Sequence, residues 1–153
     1  MRGIAAASDR RAIANLVYGL AAAIDDGDLD RVETIFGDAV FVLSGREPRA
    51  GGAAFRRVIE RGMRFYDGSP CTLHVVTNLA IEVDEARTLA FARSTISVLQ
   101  AVPPAFPLQV VMAGRYHDRF RRASGEWRFA ERVMHVRLVG DTSFHSGTSF
   151  EGK

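Results

Sequence analysis

The sequence predicts an α+β domain whose helices cover one face of an antiparallel sheet. Apolar residues recur at helical spacing up to Tyr66, and from Cys71 onward they alternate with period two. Helices first and strands afterwards segregate the two element types, which is typical of α+β domains. At 153 residues the chain is long enough for one core and a pocket. We expect a single domain over 1–153, with an ordered core over 8–139 and a loose tail over 140–153.

Three helices and a short strand are predicted in the N-terminal part. Ser8 is a good N-cap for a first helix that Gly27 ends, and Asp28 can cap a second. A strand is predicted over 39–43, followed by a polar turn. A third amphipathic helix then ends at the turn residues 67–70. The apolar positions of the three helices are Ile13, Leu16, Val17, Leu20, Ile24; Leu29, Val32, Ile35, Phe36; and Phe55, Val58, Ile59, Met63, Tyr66.

The C-terminal part predicts an antiparallel meander. Its period-two segments cover 71–83, 87–101, 107–121 and 126–139. Turn residues at 84–86 and 123–125 join two of the pairs, whereas prolines interrupt the middle connection. That connection is therefore predicted to be a longer loop, of the kind that often lies at the mouth of a site.

Composition excludes several classes of function. With 20 Lys and Arg against 18 Asp and Glu, the net charge of +2 gives nucleic-acid binding little support. Cys71 is the only cysteine, so an internal disulfide or a cysteine-based metal site within one chain is excluded. No apolar run approaches membrane-spanning length. We expect a cytoplasmic protein with neither nucleic acid nor membrane as a partner.

Polar residues stand on two strand faces that are otherwise apolar. Simple alternation directs His74 and Asn78 to the same side of their strand. In the last strand, Arg132 is the single charged residue on the face that also carries Ala130 and Met134. A buried guanidinium cannot lose its charge, so it needs a carboxylate, a carbonyl or an anionic ligand opposite it. A structural ion pair and a ligand-binding role both satisfy that requirement.

Asp25 is the third candidate. It follows the apolar stripe of the first helix and shares a face with Tyr18, about two turns earlier. The neighbouring aspartates are explained as caps and solvated charges. A helix C-terminus repels an anion, so an inward carboxylate here would need a proton donor such as imidazole.

Four separated motifs resemble the SnoaL-like family of the nuclear transport factor 2-like superfamily. They are Ile24–Asp28, His74–Asn78, Gly114–Phe120 and Gly125–Arg132, in that order. The nearest resemblances are to scytalone dehydratase, bile acid 7α-dehydratase and hexachlorocyclohexane dehydrochlorinase. The resemblance implies a cone-shaped curved antiparallel sheet wrapped around a pocket that the N-terminal helices close.

The resemblance also implies roles for residues. The strand histidine that acts as base falls on His74, and the aspartate that orients it falls on Asp25. The arginine that assists the departing group falls on Arg132. Leu20 replaces a tyrosine found in some relatives. No strong acid stands near 97–99, where the second histidine or aspartate of the dehydratases would fall. The residues predicted to contact substrate are Tyr18, Leu20, Asn78, Val110, Met112, Tyr116 and Met134.

These observations favour a cofactor-independent lyase or isomerase that removes a carbon-bound proton from a small, mostly apolar cyclic or polyketide-type molecule. Imidazole held by a carboxylate suits that step, and it requires neither a metal nor an organic cofactor. The alternative is a non-catalytic binding or assembly module, like the small subunit of ring-hydroxylating dioxygenases. In that case His74 would be a core histidine bonded to a backbone carbonyl.

The remaining expectations concern the other histidines and self-association. His117 and His145 are expected to be solvated, and nothing in the histidine spacing supports a metal site. A homodimer or homotrimer is expected through the sheet, because an apolar face would otherwise be exposed. That face is predicted to carry Leu89, Phe91, Trp127 and Phe129.

Overall fold

The computed structural model describes residues 2–146. Within them the chain forms three helices and six strands. The helices are α1 (Arg2–Asp25), α2 (Leu29–Phe36) and α3 (Gly52–Gly62). The strands are β1 (Val40–Leu43), β2 (Arg49–Ala50), β3 (Thr72–Val83), β4 (Leu89–Val102), β5 (Phe106–Ala123) and β6 (Glu126–Val139).

The six strands form one open sheet in the order β2-β1-β6-β5-β4-β3. Neighbouring strands are antiparallel, except that β1 runs parallel to β6. The helices lie on one side of the sheet, where α1 contacts both β3 and β6. The predicted α+β class is confirmed. Among the described residues, no helix combines the length and the apolar character needed to cross a membrane.

The predicted helix signals are realised in part. The prediction that Ser8 caps α1 was wrong, because α1 already begins at Arg2 and Ser8 lies inside the helix. The side chain of Asp28 accepts a hydrogen bond from the Arg31 backbone N–H at 3.0 Å and so caps α2. The apolar stripes of α1 and α2 are buried against the sheet, and the Phe36 ring stacks on Phe55 of α3 at 4.3 Å between centroids. However, α3 ends at Gly62, earlier than predicted. The longer loop predicted between β4 and β5 is not formed either, because Val102 pairs with Phe106 and only residues 103–105 join the two strands.

The N-terminal half of α1 is fixed to the far end of the sheet by a buried carboxylate. Asp9 accepts two hydrogen bonds from Arg87, at 2.5 and 2.9 Å, and one from the indole of Trp127 at 3.1 Å. The Arg87 hydrogen bond, more than any other contact, lowers the pKa of Asp9 to about 2. This anchor orients α1 so that its C-terminal end reaches β3.

Register shifts in the strands correct the simple alternation read from the sequence. Phe120 pairs with Phe129 and Arg119 with Glu131, so the register skips Ala130. Beyond this bulge the inward positions change parity. Trp127 and Phe129 are therefore buried on the same side as Arg132, and the prediction that they lie on the exposed face was wrong.

Two further shifts have the same effect on other predicted residues. In β3 the shift lies between Thr77 and Ala80, so Asn78 is exposed rather than on the side of His74. In β5 the register skips Val111, which turns Val110 outward while Met112 is buried. A bulge inserts one residue and bends its strand, and a sheet with several bulges can curve around a pocket.

One glycine permits a close approach within the bent sheet. A Cβ at Gly114 would lie 2.3 Å from the carbonyl oxygen of His135 on β6. Only glycine therefore lets the β5 backbone come this near to β6 beside the shift between Ala113 and Gly114.

Candidate active site

The C-terminal end of α1 places Asp25 against His74 on β3. Nδ1 of His74 lies 2.5 Å from Oδ1 of Asp25, and the backbone N–H of His74 donates to Oδ2 at 2.7 Å. Thr72 donates its hydroxyl to Oδ1 at 2.8 Å. Three donors thus fix the carboxylate, and the two side chains are only 11% and 9% exposed. The structure brings together the pair that the sequence predicts.

Arg132 has the carboxylate partner that its position requires. Its Nε and Nη2 donate to the two carboxylate oxygens of Asp118 at 2.8 and 2.7 Å, and both side chains are buried. Burial opposes the charge of Arg132, but Asp118 outweighs it and raises the guanidinium pKa above its ordinary value. Within residues 2–146, Nη1 makes no hydrogen bond, which leaves one edge of the guanidinium for a ligand.

Tyr116 completes this group. Its ring lies 3.9 Å from the Arg132 guanidinium carbon, in cation–π geometry. Burial raises the pKa of the Tyr116 phenol, although the positive charge of Arg132 opposes the shift. The phenol therefore remains a neutral hydroxyl near neutral pH and can donate a hydrogen bond.

These side chains surround a cavity of about 120 Å³. A void of this size is comparable with one that holds a single benzene ring. Apolar side chains from α3, from β1 and from the long strands of the sheet make up most of its wall. The lining residues are Ile24, Phe41, Leu43, Phe55, Val58, Ile59, Gly62, Met63, His74, Val98, Met112, Tyr116, Arg132, Met134, Val136 and His145.

The structure gathers some of the predicted contact residues and separates others. Met112, Tyr116 and Met134 line the cavity beside His74 and Arg132. The other four of the predicted contacts, namely Tyr18, Leu20, Asn78 and Val110, are absent from the cavity wall.

Each of these four has a physical reason for its position. Tyr18 is 49% exposed, because it follows the buried Val17 by about 100° around the helix. Leu20 is fully buried in the core between α1 and the sheet. Asn78 and Val110 are turned outward by the register shifts in β3 and β5.

The segment after β6 corrects two expectations. The prediction of a loose tail was wrong for 140–146, since Tyr66 donates its hydroxyl to the Phe144 carbonyl at 2.7 Å. His145 is 5% exposed and lines the cavity, so it is not solvated. Burial, with a smaller contribution from His74, lowers the pKa of His145 to about 4. Residues 147–153 of the predicted tail lie outside the described residues.

Sequence reasoning missed three partners in the site. Thr72 and Asp118 stand in strands where period-two alternation could have marked them as polar residues on an inward face, as it did for His74. His145 follows the last strand, where no periodicity indicates burial. His117 is exposed, as predicted, and its ring lies 4.8 Å from that of His135. Among residues 2–146, no three His, Cys, Asp or Glu side chains are grouped as metal ligands would be.

An open six-stranded sheet with helices on one side and a cavity between them defines a protein of the nuclear transport factor 2-like, or cystatin-like, fold class. Residues 5–133 match the model of the SnoaL-like domain. The chain belongs to the SnoaL-like domain family. No curated protein matches its sequence.

Several solved structures share the fold. One described as a putative aromatic ring hydroxylase from Novosphingobium aromaticivorans is 29% identical, with a TM-score of 0.67 over 86% of this chain and 90% of the other. A putative scytalone dehydratase from the same species is 18% identical, with a TM-score of 0.70 over 95% of each chain. A hexachlorocyclohexane dehydrochlorinase from Novosphingobium barchaimii is 17% identical, with a TM-score of 0.73 over 90% and 92%.

Proposed function

We propose that the protein is a cofactor-independent lyase or isomerase in which His74 removes a carbon-bound proton from a small, mostly apolar substrate. The observation that carries the proposal is the 2.5 Å contact of His74 Nδ1 with Asp25, made by a histidine that lines the cavity. Because Nδ1 faces a carboxylate, it carries the ring proton in the neutral tautomer. Nε2 then has a free lone pair and is the base.

The surroundings of Asp25 favour the charge that forms on His74. When Nε2 accepts a proton, the new imidazolium is stabilised by the carboxylate 2.5 Å away. That carboxylate cannot rotate freely, because Thr72 and the His74 backbone hold both of its oxygens. The base is therefore preorganised and needs no rearrangement during the reaction.

Arg132 and Tyr116 are the groups that face the developing negative charge. As the C–H bond breaks, its electron pair moves toward an adjacent carbonyl oxygen or expels a leaving group. The free edge of the guanidinium and the neutral phenol can each donate a hydrogen bond to that anion. In a largely apolar cavity such contacts are stronger than in water.

The proton that His74 has accepted is used differently in an elimination and in an isomerisation. In an elimination it passes to a departing hydroxyl group, which leaves as water, or it remains on His74 while an anion departs. In an isomerisation it returns to a different carbon of the same molecule. Both the dehydratase and the dehydrochlorinase that share this fold carry names that denote elimination, which supports the first reaction.

The cavity limits the substrate to a small molecule. About 120 Å³ accommodates roughly one six-membered ring, and the wall is dominated by Met, Val, Leu, Ile and Phe side chains. A cyclic ketone or enone with a proton next to its carbonyl group meets both requirements.

A non-catalytic binding or assembly role is the second candidate. The structure with 29% identity is described as a putative aromatic ring hydroxylase, and the outer sheet face exposes several large apolar side chains. In such a role, the Asp25–His74 contact would serve stability alone.

Deuterium exchange distinguishes the two roles without knowledge of the physiological substrate. Cyclohexanone and 2-cyclohexenone are incubated in D2O with the protein, and incorporation is followed by mass spectrometry. We expect the wild-type protein to accelerate exchange and His74→Gln to reduce the rate at least about 10²-fold. His117→Gln, an exposed histidine on β5, is the matched control and should behave as wild type. Equal rates for wild type and His74→Gln would reject the proposal.

A further inference from the structure

The segment after β6 is fixed across one end of the cavity by contacts on both sides of His145. Tyr66 and Gln100 donate side-chain hydrogen bonds to the Phe144 carbonyl at 2.7 and 3.0 Å. The Phe144 ring stacks on Phe106 at 4.8 Å between centroids. Contacts from the α3–β3 connection, from β4 and from β5 therefore fix the residue that precedes His145.

The residues after α3 fix the other side of His145. The backbone N–H of Arg64 donates to the carbonyl of His145 at 2.8 Å, and its Nε donates to the carbonyl of Ser146 at 2.9 Å. Met63 and Ser146 form an isolated antiparallel bridge. Two backbone contacts and a guanidinium thus hold the histidine in place.

The imidazole of His145 faces the site with unused hydrogen-bonding capacity. Its side chain lines the same cavity as His74 and Arg132, and the residue is 5% exposed. Within residues 2–146, neither ring nitrogen has a hydrogen-bond partner, and Nδ1 is closed off from the cavity whereas Nε2 is not among the closed-off atoms. Folded proteins satisfy nearly all of their buried polar groups, so a ligand in the cavity is the natural partner for Nε2.

The two histidines that line the cavity are electrostatically different. His74 has a carboxylate at 2.5 Å, whereas the only charged partner of His145 within residues 2–146 is His74 itself. Burial, followed by repulsion from His74, lowers the pKa of His145 to about 4, so this ring is neutral near pH 7. A neutral ring keeps one N–H donor and adds no charge that would oppose an imidazolium at His74.

We propose that His145 is a substrate-contacting residue whose neutral imidazole N–H donates a hydrogen bond to the substrate oxygen that becomes negative when His74 removes the proton. The ligand class is a small cyclic carbonyl compound, whose enolate oxygen would accept this bond. The electron pair of the broken C–H bond moves to that oxygen and the proton resides on His74, so His145 neither gains nor loses a proton. This inference rests on the proposed function.

Ionised 4-nitrophenol is a probe for this contact, because its phenolate oxygen resembles an enolate oxygen and its binding is visible by absorbance. We expect His145→Phe, which fills the space without a donor, to weaken binding by about 10-fold or more. His145→Asn, which keeps an N–H donor, should remain within about threefold of wild type. His117→Phe on the outer face is the matched control and should leave the affinity unchanged.

A direct measurement keeps the proposal testable if His145→Phe does not fold. In wild-type protein labelled with 15N-histidine, the ring signals of His145 should shift on addition of 4-nitrophenol. Unmoved signals, or wild-type affinity in His145→Phe, would overturn the proposal. If His74-dependent deuterium exchange persists in either case, only the role of His145 fails; if wild type binds no phenolate and catalyses no exchange, both proposals fail.

Discussion

Asp25 and His74 are 49 positions apart in the chain, yet the carboxylate of one accepts both the ring and the backbone N–H of the other. Each residue alone has an ordinary explanation: an aspartate at a helix end and a histidine in a strand. The contact requires that α1 end where β3 begins, and the Asp9 anchor at the opposite end of α1 sets that position. The pair therefore depends on the whole helix.

Asp25→Asn tests whether the carboxylate supports the base. The amide keeps the size of the side chain but removes the charge that stabilises imidazolium, and it can impose the wrong ring tautomer on His74. We expect the rate of deuterium exchange to fall at least about 10²-fold. Asp26→Asn, at the exposed next position, is the control and should retain the wild-type rate. A rate for Asp25→Asn within a factor of two of wild type would show that His74 acts without this carboxylate.

The Arg132–Asp118 pair predicts a large stability effect from a single substitution. Asp118→Asn leaves a buried guanidinium without its countercharge, and removal of one partner from a buried pair costs about 3–5 kcal/mol. The free energy of unfolding from urea titration measures the loss.

Two further variants separate the buried pair from the effects of the strand itself. Arg119→Met, on the exposed side of β5, should change stability by less than about 0.5 kcal/mol. The double variant Arg132→Met with Asp118→Leu should be more stable than Asp118→Asn, because no unpaired charge remains. If Asp118→Asn costs no more than Arg119→Met, the interpretation of the pair as a buried charge cluster is wrong.

Element order was predictable from the sequence because hydrophobic period and turn residues are local signals. The helix stripe of Ile13 to Ile24, the Asp28 cap and the four long strands all follow from residues close together in the chain. The candidate pair was found because Asp25 and His74 interrupt apolar faces and because the motifs around them resemble a family.

The errors arose where geometry depends on distant partners. Ala130, Val111 and Asn78 lie at register shifts, and a shift is fixed by the neighbouring strand rather than by the residue itself. Each shift moved the residues beyond it to the other face, which misplaced Phe129 and Val110. His145 was missed because its burial depends on Tyr66, Gln100 and Arg64, none of which is close to it in sequence.

His145 predicts a loss of stability in mild acid. Its pKa is about 4 in the folded protein and near its ordinary value of 6.5 in the unfolded chain. Between these values the unfolded chain binds more protons, so the free energy of unfolding falls as the pH drops from about 6.5 towards 4. The other ionisable side chains that line the cavity are His74, Tyr116 and Arg132, and none of them supplies a negative charge for an imidazolium at this position.

Urea titrations over this pH range measure the effect. The His145→Asn variant has no titratable group at this position, so its free energy of unfolding should depend less on pH. Between pH 6.5 and 4, wild type should lose up to about 3 kcal/mol more than this variant. His117→Asn, which removes an exposed histidine, should keep the wild-type dependence. Parallel curves for wild type and His145→Asn would mean that the ring is not held neutral by burial.

The outer sheet face predicts self-association through a patch that differs from the one expected from the sequence, which included the buried Trp127 and Phe129. Leu73 pairs with Leu99 and Leu99 with Val110, while Val75 is joined through Ser97 and Ala113 to Leu138. These two adjacent rows place four apolar side chains, between 40% and 70% exposed, on the face opposite the helices: Leu73, Val75, Val110 and Leu138. Contiguous apolar surface of this kind is uncommon on monomers.

We propose that this patch joins copies of the chain in a homodimer or homotrimer. Light scattering coupled to size exclusion should give a mass of two or three times 16.8 kDa for the wild-type protein. Leu138→Asp places a charge at the β6 end of the patch, where its burial against a second copy is costly, and should shift the mass to that of a monomer. Leu89→Asp alters another exposed leucine, on β4 and outside the patch, and should leave the assembly intact. A wild-type mass of one chain would show that the protein does not self-associate. Dissociation by Leu89→Asp alone would show that the interface lies elsewhere on the sheet.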